Sequence, residues 1–278
     1  MNTQTITLSC GQTIRVSIKP GKVASKEAHG TIPLLLCTGI GASLELLSPF
    51  VEALHLAQPD IEIITFDYPG VGGSSTPALP YRFSGLAKTI AQMLDYLDIG
   101  KVDVLGLSWG GFIGQQFAHD YPHRCNKLIL AATCAGVCAI PPSFKVLSVM
   151  SSPKRYTDPE YAAKVSPDIY GGKFRHDSEL VRSHAEKVVS NKHEQNQLGY
   201  LYQQAAITGW TSLLWLHNIK QPTLLLGGTD DPLIHVMNMR VLNMLIPNSE
   251  LHLIQDGHLF LITSIDDVLP IIEEFLNE

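Results

Sequence analysis

The run Val102-Asp-Val-Leu-Gly-Leu-Ser-Trp-Gly-Gly111 restricts this chain more than any other part of it. A short β-rich stretch leads straight into Gly106-Leu107-Ser108-Trp109-Gly110, and a helical pattern from Phe112 to His119 follows at once. A strand that becomes a helix through a serine between two glycines requires a sharp turn. The serine backbone is strained there, and close packing leaves no room for side chains at the neighbouring positions. Glycine and serine are common, so the five residues alone fit an ordinary glycine-rich turn. Their place between a strand and a helix points to a nucleophile at Ser108, with its hydroxyl above the carboxyl edge of a sheet.

The rest of the chain supplies such a sheet. Leu34–Cys37, Ile61–Phe66, Val102–Leu107, Leu128–Ala131, Thr223–Leu226 and Leu251–Ile254 are short apolar runs, the pattern of strands buried on both faces. Thr5–Leu8 and Thr13–Ile18 alternate around Cys10-Gly11 and are expected to form an antiparallel hairpin. Leu86, Ile90, Met93, Leu94 and Leu97 recur at helical spacing, as do Val241, Leu245 and Ile246. Strand–helix alternation implies an α/β fold with a mostly parallel, doubly wound sheet. From Cys134 to about Trp215 the alternation stops, and prolines, helical patches and aromatics replace it. The expected organisation is a core from 1 to 133, an inserted helical cap from 134 to 215, and the core again from 216 to 278.

The order of further residues sharpens the chemistry. The α/β hydrolases, which this chain resembles, place their triad as serine, then acid, then histidine. After the strand Thr223–Leu226 comes Gly227-Gly228-Thr229-Asp230-Asp231, and after Leu251–Ile254 comes Gln255-Asp256-Gly257-His258. Three residues past Gly228 stands Asp231, favoured as the acid over Asp230, with Asp256 a weaker rival because it lies so close to His258. Of eleven histidines, His258 alone follows the final strand in a loop beside a glycine. His119, His123 and His252 are assigned to structural or solvated positions. In this scheme His258 takes the proton of Ser108 and later returns it to the leaving alkoxide, while Asp231 fixes the imidazole tautomer.

The tetrahedral intermediate of such a reaction needs N–H donors. Trp109, directly after the nucleophile, is one candidate; the other is Ile40, in the loop Thr38-Gly39-Ile40-Gly41 that follows Leu34–Cys37. A purely structural glycine turn is the alternative for that loop. Many α/β hydrolases carry histidine where this chain has Thr38.

Several function classes are disfavoured. The net charge is −6 with no basic stripe, which speaks against a nucleic-acid partner. No apolar run approaches the roughly 18 residues of a membrane span, and Met1–Cys10 lacks the basic and apolar regions of a secretory signal. Five cysteines, an odd number, suit buried free thiols in a reducing cytoplasm. Cys134 and Cys138 lack the second pair that a zinc site uses. Asp67–Ser74 lacks the spacing of a dinucleotide loop and reads instead as a loop shaping the active-site edge. No metal and no cofactor are expected. Oligomeric state is not legible.

The chain further resembles the intracellular depolymerases of medium-chain-length poly(3-hydroxyalkanoate). The resemblance is carried by FDYPGVGGSSTP (66–77), PYRFSGLAK (80–88), GLSWGG (106–111), QQFAHDYPHRC (115–125), IYGGKFR (169–175), GWTSLLWLH (209–217) and DGHLFLIT (256–263), among others along nearly the whole chain. It implies ester cleavage in storage polyester held in cytoplasmic granules, with the triad on Ser108, Asp231 and His258. The segment Asn191–Gln197 is more polar and longer than the family's. A small-molecule carboxylesterase or thioesterase would use the same triad, and a non-catalytic binding protein on this scaffold would not need all three residues. Phe144, Leu147, Met150, Tyr156, Tyr161, Tyr170, Phe174, Tyr200, Tyr202, Trp210 and Trp215 are more apolar bulk than a small cap can hide alone. They are expected to pack the cap on the core, to line an acyl channel, or to face a granule.

Overall fold

A computed structural model describes residues 2–22, 31–190 and 197–278. Residues Asn191–Asn196 of the unfamiliar polar segment lie outside the described residues. Eight strands form one sheet: β1 (Asn2–Thr7), β2 (Thr13–Lys19), β3 (Leu34–Cys37), β4 (Ile63–Phe66), β5 (Val102–Leu107), β6 (Cys125–Ala131), β7 (Thr223–Gly228) and β8 (Ser249–Ile254), in the order β1-β2-β4-β3-β5-β6-β7-β8. The hairpin β1–β2 is antiparallel, as is its junction with β4, and every other pairing is parallel. Leu8 falls in the turn rather than in β1, where its N–H closes on the Gln12 carbonyl at 2.9 Å.

The apolar runs are unbroken because successive residues serve opposite faces. Leu35, Cys37, Val104 and Leu128 face one core; Leu34, Leu36, Leu105 and Ile129 face the other. The first core is covered by α2 (Phe83–Tyr96), α3 (Trp109–Asp120) and α8 (Val236–Leu245). The second is covered by α1 (Ser48–Ala57), α9 (Phe260–Thr263) and α10 (Ile265–Asn277). In α2 the buried set Phe83, Leu86, Ala87, Ile90 and Leu94 keeps the three-and-four spacing of a single face. Helix α3 is buried from Trp109 to Ala118, on every side, because it lies beneath a further layer as well as on the sheet.

That layer comes from the chain between β6 and β7. It holds α4 (Phe144–Met150), α5 (Pro159–Tyr170), α6 (Ser178–Ser190) and α7 (Gln197–Ile207), with a short turn of helix at Pro153–Tyr156. Among the described residues its only β pairing is an isolated bridge between Gly136 and Thr211. Polar side chains of α3 reach into it: Trp210 Nε1 donates to Gln116 Oε1 at 2.7 Å, and Ser212 Oγ to Gln115 Oε1 at 2.6 Å. Most of its aromatics are spent on packing. Phe174 and Tyr200 are buried, and Trp210 packs at a tilt against Phe83 and Phe112, but Phe144 is 87% exposed. The cysteines correct one expectation: all five are free, but Cys10 and Cys138 are exposed rather than buried. Burial pushes the Cys37 thiol up to about 12, which makes it inert, although Tyr68 beside it pulls the other way.

Candidate active site

Ser108 sits between β5 and α3 with φ 56° and ψ −118°, a left-handed backbone that a residue with a side chain rarely adopts. Its surroundings hold it there. The Ser108 N–H donates to Ala131 O at 2.8 Å, and its carbonyl accepts from Gly111 N at 2.9 Å and from Thr133 Oγ1 at 2.8 Å. The flanking glycines are dictated by contact. A Cβ on Gly106 would lie 2.5 Å from Gly110 O, and one on Gly110 would lie 2.1 Å from Cys37 O. Both obstacles are backbone, so no side chain can yield.

The two later loops bring their residues together. His258 Nδ1 and Asp231 Oδ2 are 2.7 Å apart, and both side chains are almost wholly buried. The other oxygen of Asp231, Oδ1, accepts from Leu233 N and Ile234 N, each at 2.8 Å, so the carboxylate is fixed in its plane. The His258 N–H donates to the Tyr170 carbonyl at 2.6 Å, tying this loop to the end of α5. Ser108 and His258 line the same cavity, together with Gly39 and Ile40 from the loop after β3. Met150, Arg155, Tyr156, Tyr170 and Leu180 from the chain between β6 and β7 cover it.

The rival acids do other work. Asp230 accepts from Arg175 Nε at 2.6 Å and from Gly172 N at 2.8 Å, and the Arg175 guanidinium holds its carboxyl below the usual range. Burial works to raise Asp256, but donors at Thr263, Lys173, Ser264 and Gly257 outweigh it and hold this carboxyl low. Neither touches His258 in any hydrogen bond of the structure. His119 pairs with Asp120 and packs on Trp215, and His252 lies on the edge strand β8.

The oxyanion candidates stand at two backbone ends. Trp109 opens α3, so its N–H belongs to the first turn, which a helix leaves without an intrahelical partner. Ile40 lies in the loop after β3, whose conformation is set from several sides. Thr38 Oγ1 donates to Ala42 O at 3.1 Å and Tyr68 OH to Thr38 O at 3.1 Å. Asp67 Oδ1 accepts from Leu44 N at 2.8 Å, while Oδ2 accepts from Gly73 N at 2.8 Å and from Arg15 Nη1 at 3.0 Å. Burial raises the Asp67 carboxyl and these donors offset part of the rise. Asp67 thus ties its own loop to the segment that follows Ile40. Tyr156 and Gln203 also reach the Ile40 loop: Tyr156 OH donates to Ile40 O at 2.6 Å, and Gly41 N donates to Gln203 Oε1 at 2.8 Å. Tyr156 is one of the aromatics expected to pack the cap or line a channel, though not to hold this loop; Gln203 had no local sequence signal, being one polar residue among several in a helical stretch. Among the described residues no group of three His, Cys, Asp or Glu side chains could hold a metal ion.

A strained serine and a histidine held by a buried carboxylate, on one cavity, are arranged as an acyl-transfer site requires. A family model described as alpha/beta hydrolase fold matches residues 32–264, and the chain belongs to that family. Solved structures agree on the fold. An enol-lactonase from Burkholderia xenovorans LB400 superposes with a TM-score of 0.80 over 99% of this chain and 100% of that one, at 23% identity. A meta-cleavage product hydrolase from Pseudomonas fluorescens IP01 gives 0.81 over 99% and 97%, at 18% identity. A nearer relative is the poly(3-hydroxyalkanoate) depolymerase of Ectopseudomonas oleovorans. It is 57% identical over 267 residues, 96% of this chain and 90% of the relative, and this chain belongs to its family.

Proposed function

We propose that this protein hydrolyses the ester bonds of poly(3-hydroxyalkanoate), of medium chain length as the sequence resemblance implies, through an acyl-serine intermediate. The observation that carries the chemistry is the buried His258–Asp231 pair at 2.7 Å, on a cavity that Ser108 also lines. The substrate follows from the depolymerase that is 57% identical over almost the whole chain.

His258 takes the Ser108 proton as Oγ adds to the ester carbonyl. Ile40 and Trp109 donate to the oxyanion that forms. Collapse expels the alkoxide of the next monomer, which takes the proton from His258. A water, deprotonated by the same imidazole, then attacks the acyl-serine and releases a hydroxy acid, regenerating Ser108. Asp231 holds the ring and stabilises the imidazolium in both halves. Residues 134–215 act as a cap over this site. Val137, Ile140, Phe144 and Leu147 are exposed apolar side chains within an eleven-residue stretch of it and suit contact with the surface of a storage granule in the cytoplasm.

The test is release of 3-hydroxyalkanoate from amorphous granules. Wild type releases it, and Ser108→Ala lowers the rate by about 10⁴–10⁶. Brisk turnover of soluble esters with no release from granules would replace this substrate by a small ester, with the triad intact. A Ser108→Ala protein that keeps wild-type turnover would remove the triad as well.

A further inference from the structure

We infer that the cap builds the oxyanion hole, through Gln203 and Tyr156 acting as positioning residues that grip one peptide plane at both ends. The plane is the peptide between Ile40 and Gly41. Its carbonyl accepts from Tyr156 OH at 2.6 Å, and its N–H donates to Gln203 Oε1 at 2.8 Å. A peptide unit is rigid, so two bonds on opposite edges fix its orientation as well as its position. The Ile40 N–H belongs to the preceding plane, which shares the Ile40 Cα. With the second plane held, the first can swing only about the dihedrals of that one residue.

The same glutamine reaches the second donor. Trp109 Nε1 donates to the Gln203 main-chain carbonyl at 3.2 Å, so side chain and backbone of one cap residue bridge the two segments that carry Ile40 and Trp109. Gln203 is fully buried in α7, and its side-chain oxygen accepts from the Gly41 N–H; among the described residues its Nε2 meets no acceptor. Tyr156 is held in turn by the buried Arg155, whose Nη2 donates to Tyr156 OH at 3.0 Å and to Tyr200 OH at 3.0 Å. The tyrosine hydroxyl therefore accepts from a cation and donates to Ile40, an arrangement in which each bond polarises and strengthens the other.

Gly41 completes the device. It has φ +71°, and a Cβ there would lie 2.7 Å from Tyr156 Oη and 2.8 Å from Tyr156 Cζ. The ring closes on the loop only because this position has no side chain. Cap and hole are thus one construction, and displacing the cap to admit a chain unmakes the donor geometry until the cap returns.

The inference rests on the assignment of Ile40 and Trp109 as oxyanion donors. Its test uses the whole protein, p-nitrophenyl octanoate as substrate, and octylboronic acid, which forms a tetrahedral adduct on a reactive serine with an oxygen in the hole; 1-octanol serves as a probe that fills the cavity without one. Gln203→Met and Tyr156→Phe are each expected to lower kcat by about ten- to a hundredfold with KM held within about twofold, since a small misplacement of a donor costs less than its loss. The boronic acid should weaken by the same factor while 1-octanol binding stays. Wild-type boronate affinity and kcat in either folded variant would overturn the inference. So would an equal weakening of boronate and octanol, the mark of a merely structural role. Tyr156→Phe removes a single oxygen and serves if Gln203→Met does not fold. A wild-type protein that binds no boronate would instead overturn the assignment of the hole and Ser108 themselves.

Discussion

Asp231 and His258 meet at 2.7 Å although they lie 27 residues apart and on loops after different strands. The register of β7 with β8, from Thr223 opposite Ser249 to Gly228 opposite Ile254, brings the two loop starts level, so the pair is a product of sheet pairing. Asp231→Asn keeps the shape but favours the wrong tautomer at Nδ1. We expect kcat on a soluble ester to fall by about 10⁴. Asp230→Asn, which weakens contacts to Arg175 and Gly172 away from His258, should change kcat by less than about threefold. Equal effects of the two substitutions would remove Asp231 from the mechanism.

Gly110 is a second test of how the site is built. Its missing Cβ would stand 2.1 Å from Cys37 O and 2.5 Å from Thr38 O, both on the backbone that leads into the Ile40 loop. Gly110→Ala should cost about 1–3 kcal/mol or more in unfolding free energy, because neither carbonyl can rotate away. Urea unfolding measures it. A midpoint equal to wild type would mean that the elbow is looser than its contacts indicate.

The sheet was legible because six apolar runs are short and bounded by turn residues and two further segments alternate, and a strand stands at each of the eight. Ends were less legible: β6 starts three residues earlier than the apolar run, at Cys125, because Asn126 and Lys127 extend the strand while their polar groups meet the Asp103 carboxylate. Ser108, Asp231 and His258 were legible because each follows a strand at a fixed offset. Gln203 was not, and Tyr156 was legible only as a cap aromatic, with no sign of its bond to Ile40. They reach the Ile40 loop across 162 and 116 residues, and no local spacing links either of them to that loop.

The exposed cap residues give a prediction about the insoluble substrate. Phe144 is 87% exposed and Leu147, three residues on, is 43% exposed. Burying a phenylalanine side chain is worth roughly 1.5–3 kcal/mol. The double variant Phe144→Ser, Leu147→Ser should therefore bind amorphous granules at least about tenfold more weakly in a sedimentation assay. Hydrolysis of soluble p-nitrophenyl octanoate, which needs no docking, should fall far less. Unchanged sedimentation would remove these two side chains from any contact with granules.

His184 offers a pH signature that separates stability from catalysis. It lies on α6 at the cavity wall, edge-on to Tyr170 and Phe174 at 5.3 and 5.2 Å. Burial, with a smaller push from Lys187, lowers its pKa from 6.5 to about 4. The unfolded chain takes up a proton near pH 6.5, whereas the folded protein refuses it until about pH 4. Stability is thus full above pH 6.5 and declines between 6.5 and 4, by at most about 3 kcal/mol. Asp230 and Asp256, held below the usual carboxylate range, lose their contributions in more acid solution, and equally in any His184 variant. His184→Gln should therefore flatten the pH dependence of the denaturation midpoint between pH 6.5 and 4 relative to wild type. Parallel curves for the two proteins across that interval would show that His184 is protonated in the fold, with an acceptor or water satisfying the charge.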